Sequence, residues 1–240
     1  MDEFRKYLLA AAAAVSLPLE QELADRLACH WQLLLAANER FNITAITEPR
    51  AAAEKHYLDC LLAADKAARL LPWGGSAADI GSGGGFPGLI MAAACPDIRF
   101  TLIEAMGKKA DFLTGTVAAM ELANVTVRTM RAEEAGRHPE LRGGFALATA
   151  RAVAELAVLA EYALPLLAED GVFLAMKGPG AGEELAAATK ALEILGGELA
   201  EKEEYVLPEG SGRTLLVFRK TAPTPEKYPR RPGMPTKRPL

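Results

Sequence analysis

Four glycines in five positions, Gly81, Gly83, Gly84 and Gly85 around Ser82, constrain this chain more than any other feature. The apolar stretch 77–80 before them reads as a strand, and 87–94 after them reads as a helix. Glycine at a strand-to-helix junction lets the backbone turn sharply and lets a ligand approach where a side chain would collide. A flexible turn without a ligand is the plainer alternative, but it does not require so many glycines at that junction.

The alternation continues downstream. Strands are expected at 100–103, 125–129, 145–150 and 171–176, with helices at 108–122, 153–167 and 182–195. The last two strands, 202–207 and 214–218, have no helix between them and should pair antiparallel. Such alternation builds a mostly parallel sheet covered on both faces. The closing hairpin separates it from an ordinary dinucleotide fold and points to the seven-stranded, Rossmann-like α/β fold of class I methyltransferases, with an antiparallel last strand. Ahead of it, 1–15 and 18–41 read as helices, the second with Leu19, Leu23, Leu27, Trp31, Leu34 and Leu35 on one face. A further helix should start at Thr47 as N-cap, with Pro49 in its first turn, and run to about Leu71.

Two cofactor classes compete for the glycine loop. A nicotinamide site requires G-x-G-x-x-G/A, and here Phe86 stands at the third small position. An S-adenosyl-L-methionine site requires an acid two residues before the first glycine and then G-x-G-x-G, which Asp79, Gly81, Gly83 and Gly85 supply. Glu104 then ends the next strand at the distance where a carboxylate holds ribose hydroxyls; as a plain structural residue it would cap the helix beginning near Gly107. Ala132, Glu133 and Glu134 follow the third strand, where an acid or backbone group commonly reads adenine. Taken alone, the two glutamates are a solvated pair. Arg151, after the fourth strand, is either a sheet-end ion-pair partner or a group facing cofactor or an anionic substrate.

The loop after the fourth strand, Ala148-Thr149-Ala150-Arg151-Ala152-Val153, holds neither an Asn/Asp-Pro-Pro-aromatic cluster nor a cysteine. That argues against methylation of an exocyclic amine and against covalent attack on a pyrimidine carbon. A ring nitrogen such as guanine N7 carries a lone pair and no proton, so it needs alignment rather than a base. No catalytic acid or base is nominated.

Composition excludes other classes. Cys29, Cys60 and Cys95 are odd in number and form no CxxC pattern, and the three histidines are scattered, so neither a disulfide framework nor a zinc site is expected. The alanine-rich start has Asp2 and Glu3 where a signal peptide would be basic, and no apolar run reaches the roughly 18 residues of a membrane span. A cytoplasmic protein is expected. The net charge of −4 argues against wholesale nucleic-acid coating, yet from Arg219 to Leu240 seven basic residues face one acid, Glu226, and six prolines interrupt the stretch. This reads as an extended basic tail, neither helix nor central strand, that serves either as a solubilising terminus or as a phosphate-tracking arm. The expected organisation is an N-terminal helical extension (1–72), a cofactor-binding domain (73–220) and a basic Pro-rich tail (221–240).

Taken together, several segments resemble the bacterial rRNA small subunit methyltransferase G (glucose-inhibited division protein B) family. They are Asn38-Glu39-Arg40-Phe41-Asn42-Ile43-Thr44-Ala45-Ile46, His56-Tyr57-Leu58-Asp59-Cys60, the loop 79–88, Gly107-Lys108-Lys109 with Phe112-Leu113, Arg151-Ala152-Val153-Ala154, Lys177-Gly178 and Lys227-Tyr228-Pro229-Arg230-Arg231-Pro232-Gly233. They lie in the expected order from residue 38 to the C-terminus; Cys60, where serine is frequent, is a mild departure. The resemblance implies S-adenosyl-L-methionine as cofactor, with contacts at Gly81, Gly83, Phe86, Ala132, Glu133 and Arg151 and with Glu104 at the ribose. It implies methylation of guanine N7 in 16S rRNA of the 30S subunit by a cytoplasmic monomer, without membrane or metal. Lys177, Arg230 and Arg231 are the expected rRNA contacts.

Overall fold

The computed structural model describes residues 2–240. In chain order the elements are α1 (Asp2–Ala14), α2 (Gln21–Asn38), α3 (Pro49–Ala52), a π-helical stretch Ala53–Leu58, α4 (Asp59–Leu70), β1 (Gly75–Ile80), α5 (Gly88–Ala94), β2 (Ile98–Glu104), α6 (Gly107–Ala119) and β3 (Val125–Thr129). After these come α7 (Ala132–Ala135), β4 (Phe145–Arg151), α8 (Leu156–Ala163), a 3-10 turn Leu164–Leu166, β5 (Leu167–Lys177), α9 (Ala181–Leu195), β6 (Gly197–Val206), β7 (Gly212–Lys220) and α10 (Met234–Lys237).

The seven strands form one sheet in the order β3-β2-β1-β4-β5-β7-β6. β1 pairs parallel with both β2 and β4, and only β7 runs against its neighbours. This is the class I methyltransferase architecture expected from the strand–helix rhythm and the closing hairpin. Strand side chains alternate between two apolar layers, as the twofold repeat of a strand requires. Ala77, Leu102, Leu147, Leu174 and Val217 face one cluster, which also holds Phe4, Leu27, Trp31, Tyr57 and Leu89. Ala78, Ile103, Ala148, Phe173 and Leu216 face the other, beneath α8 and α9. The N-terminal helices therefore share a core with the sheet. Among the described residues no helix is long and apolar enough to cross a membrane.

Three local expectations need correction. The helix after Ile46 is capped by Glu48, not Thr47: the Glu48 carboxylate accepts from the Arg50 and Ala51 N–H groups, and Pro49 takes the first helical position. The helix expected at 153–167 begins only at Leu156, because Ala152 adopts φ +56° and the Leu156 N–H is taken by Glu184 Oε2 from α9. The terminal segment is not an extended arm throughout. Its last part makes the single helical turn α10, which tolerates Pro235 because a first-turn N–H has no helical partner.

That terminal segment is bound down on the face of α7 and α8. Arg137 donates to the carbonyls of Pro229 and Lys227, and Arg142 to those of Tyr228 and Thr224. Tyr228 is buried. The Glu161 carboxylate, fully buried on α8, accepts from the backbone N–H of Arg230 at 2.7 Å and from its guanidinium at 2.9 and 2.6 Å. The cation of Arg230, one of the expected rRNA contacts, thus neutralises a buried acid. Arg231 remains exposed.

Arg230→Met should leave Glu161 buried without its counter-charge, lowering the stability measured by urea unfolding by about 3–5 kcal/mol. Replacing both partners, Glu161→Leu with Arg230→Met, should recover most of that loss; an undiminished loss in the double variant would contradict the ion-pair account.

Candidate functional site

The strand order reverses direction between β1 and β4, and in open α/β sheets a crevice forms there beyond the carboxyl ends of the strands. The loop after β1 begins at Gly81 and the loop after β4 at Ala152. Gly81 adopts φ +69°, and a Cβ built on it would lie 2.7 Å from Val153 Cγ2. Glycine is therefore required on two grounds, backbone conformation and close passage of the second loop.

The β1 loop is held at both ends. The Gly81 N–H donates to the Ile103 carbonyl at 2.8 Å, pinning the turn to β2. The Glu104 carboxylate accepts from the Gly83 N–H at 2.9 Å and, through its other oxygen, from the Met106 N–H at 2.8 Å. Glu104 thus braces the start of α6, as its plain structural reading expects, and also ties the glycine loop to the second strand. Behind the loop, Asp79 Oδ2 accepts from the Gly88 N–H at 3.2 Å, and Gly88 has no room for a side chain, since a Cβ would lie 2.4 Å from that of Asp79. Asp79 is fully buried and its Oδ1 has no hydrogen-bond partner. Burial pushes its carboxyl up to about 6.

Two cavities open at this crevice. The first, about 330 Å³, is lined by Gly81, Gly83, Glu104, Lys109, Ala132 and Glu133, joined by Ala152, Val153, Tyr162, Gly233 and Thr236. Five of the sequence-derived cofactor positions, from three separate strand ends, converge there. Its size is that of a small-molecule site, and its lining suits a nucleoside: carboxylates for hydroxyl donors, and backbone without side chains at Gly81 and Gly83. The second cavity, about 570 Å³, shares Ala152 and Val153 with the first and is lined by Lys55, His56, Asp59, Arg151, Lys177, Glu184 and Arg213.

Phe86 and Arg151 belong to neither side of the first cavity. Phe86 is buried among His30, His56 and Tyr57, and the Arg151 guanidinium lies 5.0 Å from its ring centre. Arg151 also donates to Asp59 Oδ2, the Lys55 carbonyl and His56 Nδ1. Burial, with the Arg151 cation beside it, lowers the His56 imidazole to about 3, so it stays neutral; its Nε2 meets Thr44 Oγ1 at 2.9 Å. Asp59 accepts further from the Tyr205 hydroxyl at 2.7 Å and faces Arg213 at 3.6 Å. Lys177, expected at the rRNA, lines the second cavity and is also engaged within the protein: its Nζ donates to the Ala154 carbonyl and to Glu184, fixing the loop after β4. Sequence reading missed Val153, Tyr162, Gly233 and Thr236 as lining residues. The last three come from α8 and the chain terminus, and no motif spacing links them to the glycine loop.

The family model for rRNA small subunit methyltransferase G matches residues 24–208. Curated relatives described as ribosomal RNA small subunit methyltransferase G match along nearly the whole chain. The protein from Roseiflexus sp. (strain RS-1) is 44% identical over 236 residues, covering 97% of this chain and 98% of that one. The one from Pelotomaculum thermopropionicum is 47% identical over 215 residues, covering 88% of each. Among solved structures, cofactor-bound Rv0187 from MTB superposes with a TM-score of 0.56 at 23% identity, covering 80% of this chain and 90% of that one. A 16S rRNA (adenine(1408)-N(1))-methyltransferase from Catenulisporales acidiphilia superposes with a TM-score of 0.53 at 14% identity, covering 67% and 92%. These two structural likenesses establish the fold alone.

Because folding raises the Asp79 carboxyl, the native state binds its proton more tightly than the unfolded chain does. The contribution of Asp79 to stability should therefore be greatest below about pH 4, fall as pH rises to about 6, and level off above that. Urea midpoints measured across this range should slope downward in the wild type relative to Asp79→Asn; parallel profiles would rule out a raised Asp79.

Proposed function

We propose that this chain, which belongs to the rRNA small subunit methyltransferase G family, methylates N7 of a guanine in 16S rRNA. Its family chemistry is S-adenosyl-L-methionine-dependent methylation of small-subunit rRNA. The finer assignment rests above all on one observation: two cavities meet at the Ala152–Val153 loop, one bringing together Gly81, Gly83, Glu104 and Glu133, the other lined by four cations, Lys55, Arg151, Lys177 and Arg213, among three acids.

In this reading the 330 Å³ cavity holds the cofactor. Glu104 takes the ribose hydroxyls, Ala132 and Glu133 meet the adenine, and the backbone at Gly81 and Gly83 admits the remainder. Phe86 acts from behind the loop, setting its position through its contacts with His56 and Arg151, while Arg151 also lines the second cavity. When bound, S-adenosyl-L-methionine supplies a sulfonium-borne methyl group. The 570 Å³ cavity receives the guanine, and Lys55, Arg151 and Arg213 give it a cationic lining suited to a nucleotide.

The chain supplies alignment and a dry, polar environment rather than a proton acceptor. His56 has both ring nitrogens engaged, and Asp59 is bonded by Arg151 and Tyr205. Neither is placed as a free base, which fits an acceptor nitrogen that has no proton to lose. The reading takes the enzyme as a cytoplasmic monomer acting on the 30S subunit, with Arg231, Lys237 and Arg238 among the exposed cations that meet phosphate.

Incubation with 30S subunits or 16S rRNA from cells lacking this enzyme, followed by mass mapping, should find a single added methyl group at guanine N7. A methyl group on an exocyclic amine, a ring carbon or a ribose hydroxyl would overturn the acceptor assignment. Glu104→Ala should weaken cofactor binding by about 1–3 kcal/mol in calorimetry, the range for losing hydrogen bonds to a charged group; wild-type affinity would remove Glu104 from the ribose.

A further inference from the structure

The terminal segment beyond residue 227 was expected to seek phosphate, yet its path leads to the smaller cavity. Arg137, Arg142 and Glu161 fix the stretch from Thr224 to Arg230. Beyond Arg230 the chain reaches that cavity and lines it at Gly233 and Thr236. The Gly233 N–H donates to Glu133 Oε1 at 2.8 Å. The Tyr162 hydroxyl reaches the same oxygen at 3.4 Å and meets Thr236 Oγ1 at 3.2 Å. Glu133 is buried although it sits in the first turn of a four-residue helix at a strand end; the terminal segment is among the groups that cover it.

We infer that residues 233–237 are a working part of the cofactor site, with Thr236 and Tyr162 presenting a hydroxyl pair to the adenine end of S-adenosyl-L-methionine. The inference rests on the placement of the cofactor in this cavity. Glu104 and Glu133 lie at different strand ends, β2 and the turn after β3, and the hydroxyl pair sits on the Glu133 side. A base held there has Glu133 and Ala132 beneath it and the terminal turn at its outer edge. With the Tyr162 proton directed to Glu133 and the Thr236 proton to Tyr162, the pair offers free lone pairs, which suit the N–H donors of the exocyclic amine of adenine. The architecture also separates anchor from contact. Arg230 and Tyr228, which hold the segment down, precede Gly233, so the contacting turn can be removed without disturbing the buried Glu161 ion pair.

This separation permits a direct test by titrating S-adenosyl-L-homocysteine into the full chain, a chain ending at Pro232, and the variants Thr236→Val and Tyr162→Phe. The shortened chain should melt near the full-length protein in the absence of ligand yet bind about ten-fold more weakly, and each point variant about three-fold more weakly. Ligand should also slow amide exchange across 233–237 in the full chain. Glu104→Ala serves as the reference. If Glu104→Ala loses affinity while all three terminal variants bind like wild type, the terminal contact is wrong and the cofactor placement stands. If Glu104→Ala binds like wild type as well, the placement itself fails. Should the chain ending at Pro232 not fold, the two point variants and the exchange measurement decide.

Discussion

The contact between Gly81 and Val153 organises the functional end of this molecule. β1 and β4 are hydrogen-bonded neighbours, so the loops that leave them must pass each other within a side chain's width. One loop gives up its side chain at Gly81; the other takes a left-handed turn at Ala152 and lays Val153 across it. The result is a thin partition with a cavity on either side. Most of what a methyltransferase must supply is approach geometry. The supports on both sides reinforce the partition. Glu104 and the Ile103 carbonyl hold the glycine loop, while Lys177 and Glu184 hold the loop after β4.

Charge placement obeys the same division. Around the smaller cavity the acids Glu104 and Glu133 are engaged by backbone N–H groups, which keeps acceptor oxygens in place. Around the larger cavity the cations are held by acids inside the protein, Arg151 and Arg213 sharing the single carboxylate of Asp59 and Lys177 meeting Glu184, so the Arg151–Arg213–Asp59 group keeps one positive charge in excess. The neutral His56 completes this arrangement as an acceptor for Arg151 rather than a proton carrier.

The sheet was legible because its signal is local. Apolar runs in β1, β2, β4 and β5 are buried on both faces, so they stand out as continuous stretches between helical patterns. Gly81, Gly83, Glu104, Ala132 and Glu133 were legible for a related reason: each comes directly after its strand or ends it, and the topology brings strand ends together. Phe86 and Arg151 were read from the family pattern as cofactor contacts, whereas their side chains pack on each other behind the loop. A one-dimensional pattern marks which positions matter around a ligand, but not which face of the backbone each side chain takes. Lys177 and Arg230 were read as rRNA contacts; that they also pair with Glu184 on α9 and Glu161 on α8 was not legible, because sequence spacing carries no trace of those meetings.

The terminal segment makes the general point about basic stretches. Counted along the chain, seven cations against one acid describe a nucleic-acid arm. Counted in space, Arg230 neutralises Glu161 and buried Lys220 donates to the Leu164 carbonyl and Thr224. Phosphate binding depends on cations that remain exposed, because only those displace counterions from the nucleic acid. Those exposed at this end, Arg231, Lys237 and Arg238, flank the turn that lines the smaller cavity, and Lys108 and Arg131 lie exposed beside Glu104 and Ala132. An rRNA backbone drawn to these cations would run past the cofactor cavity toward the partition at Val153. The protein's overall negative charge is no obstacle to this, since long-range repulsion is screened by salt and a local group of exposed cations acts at short range.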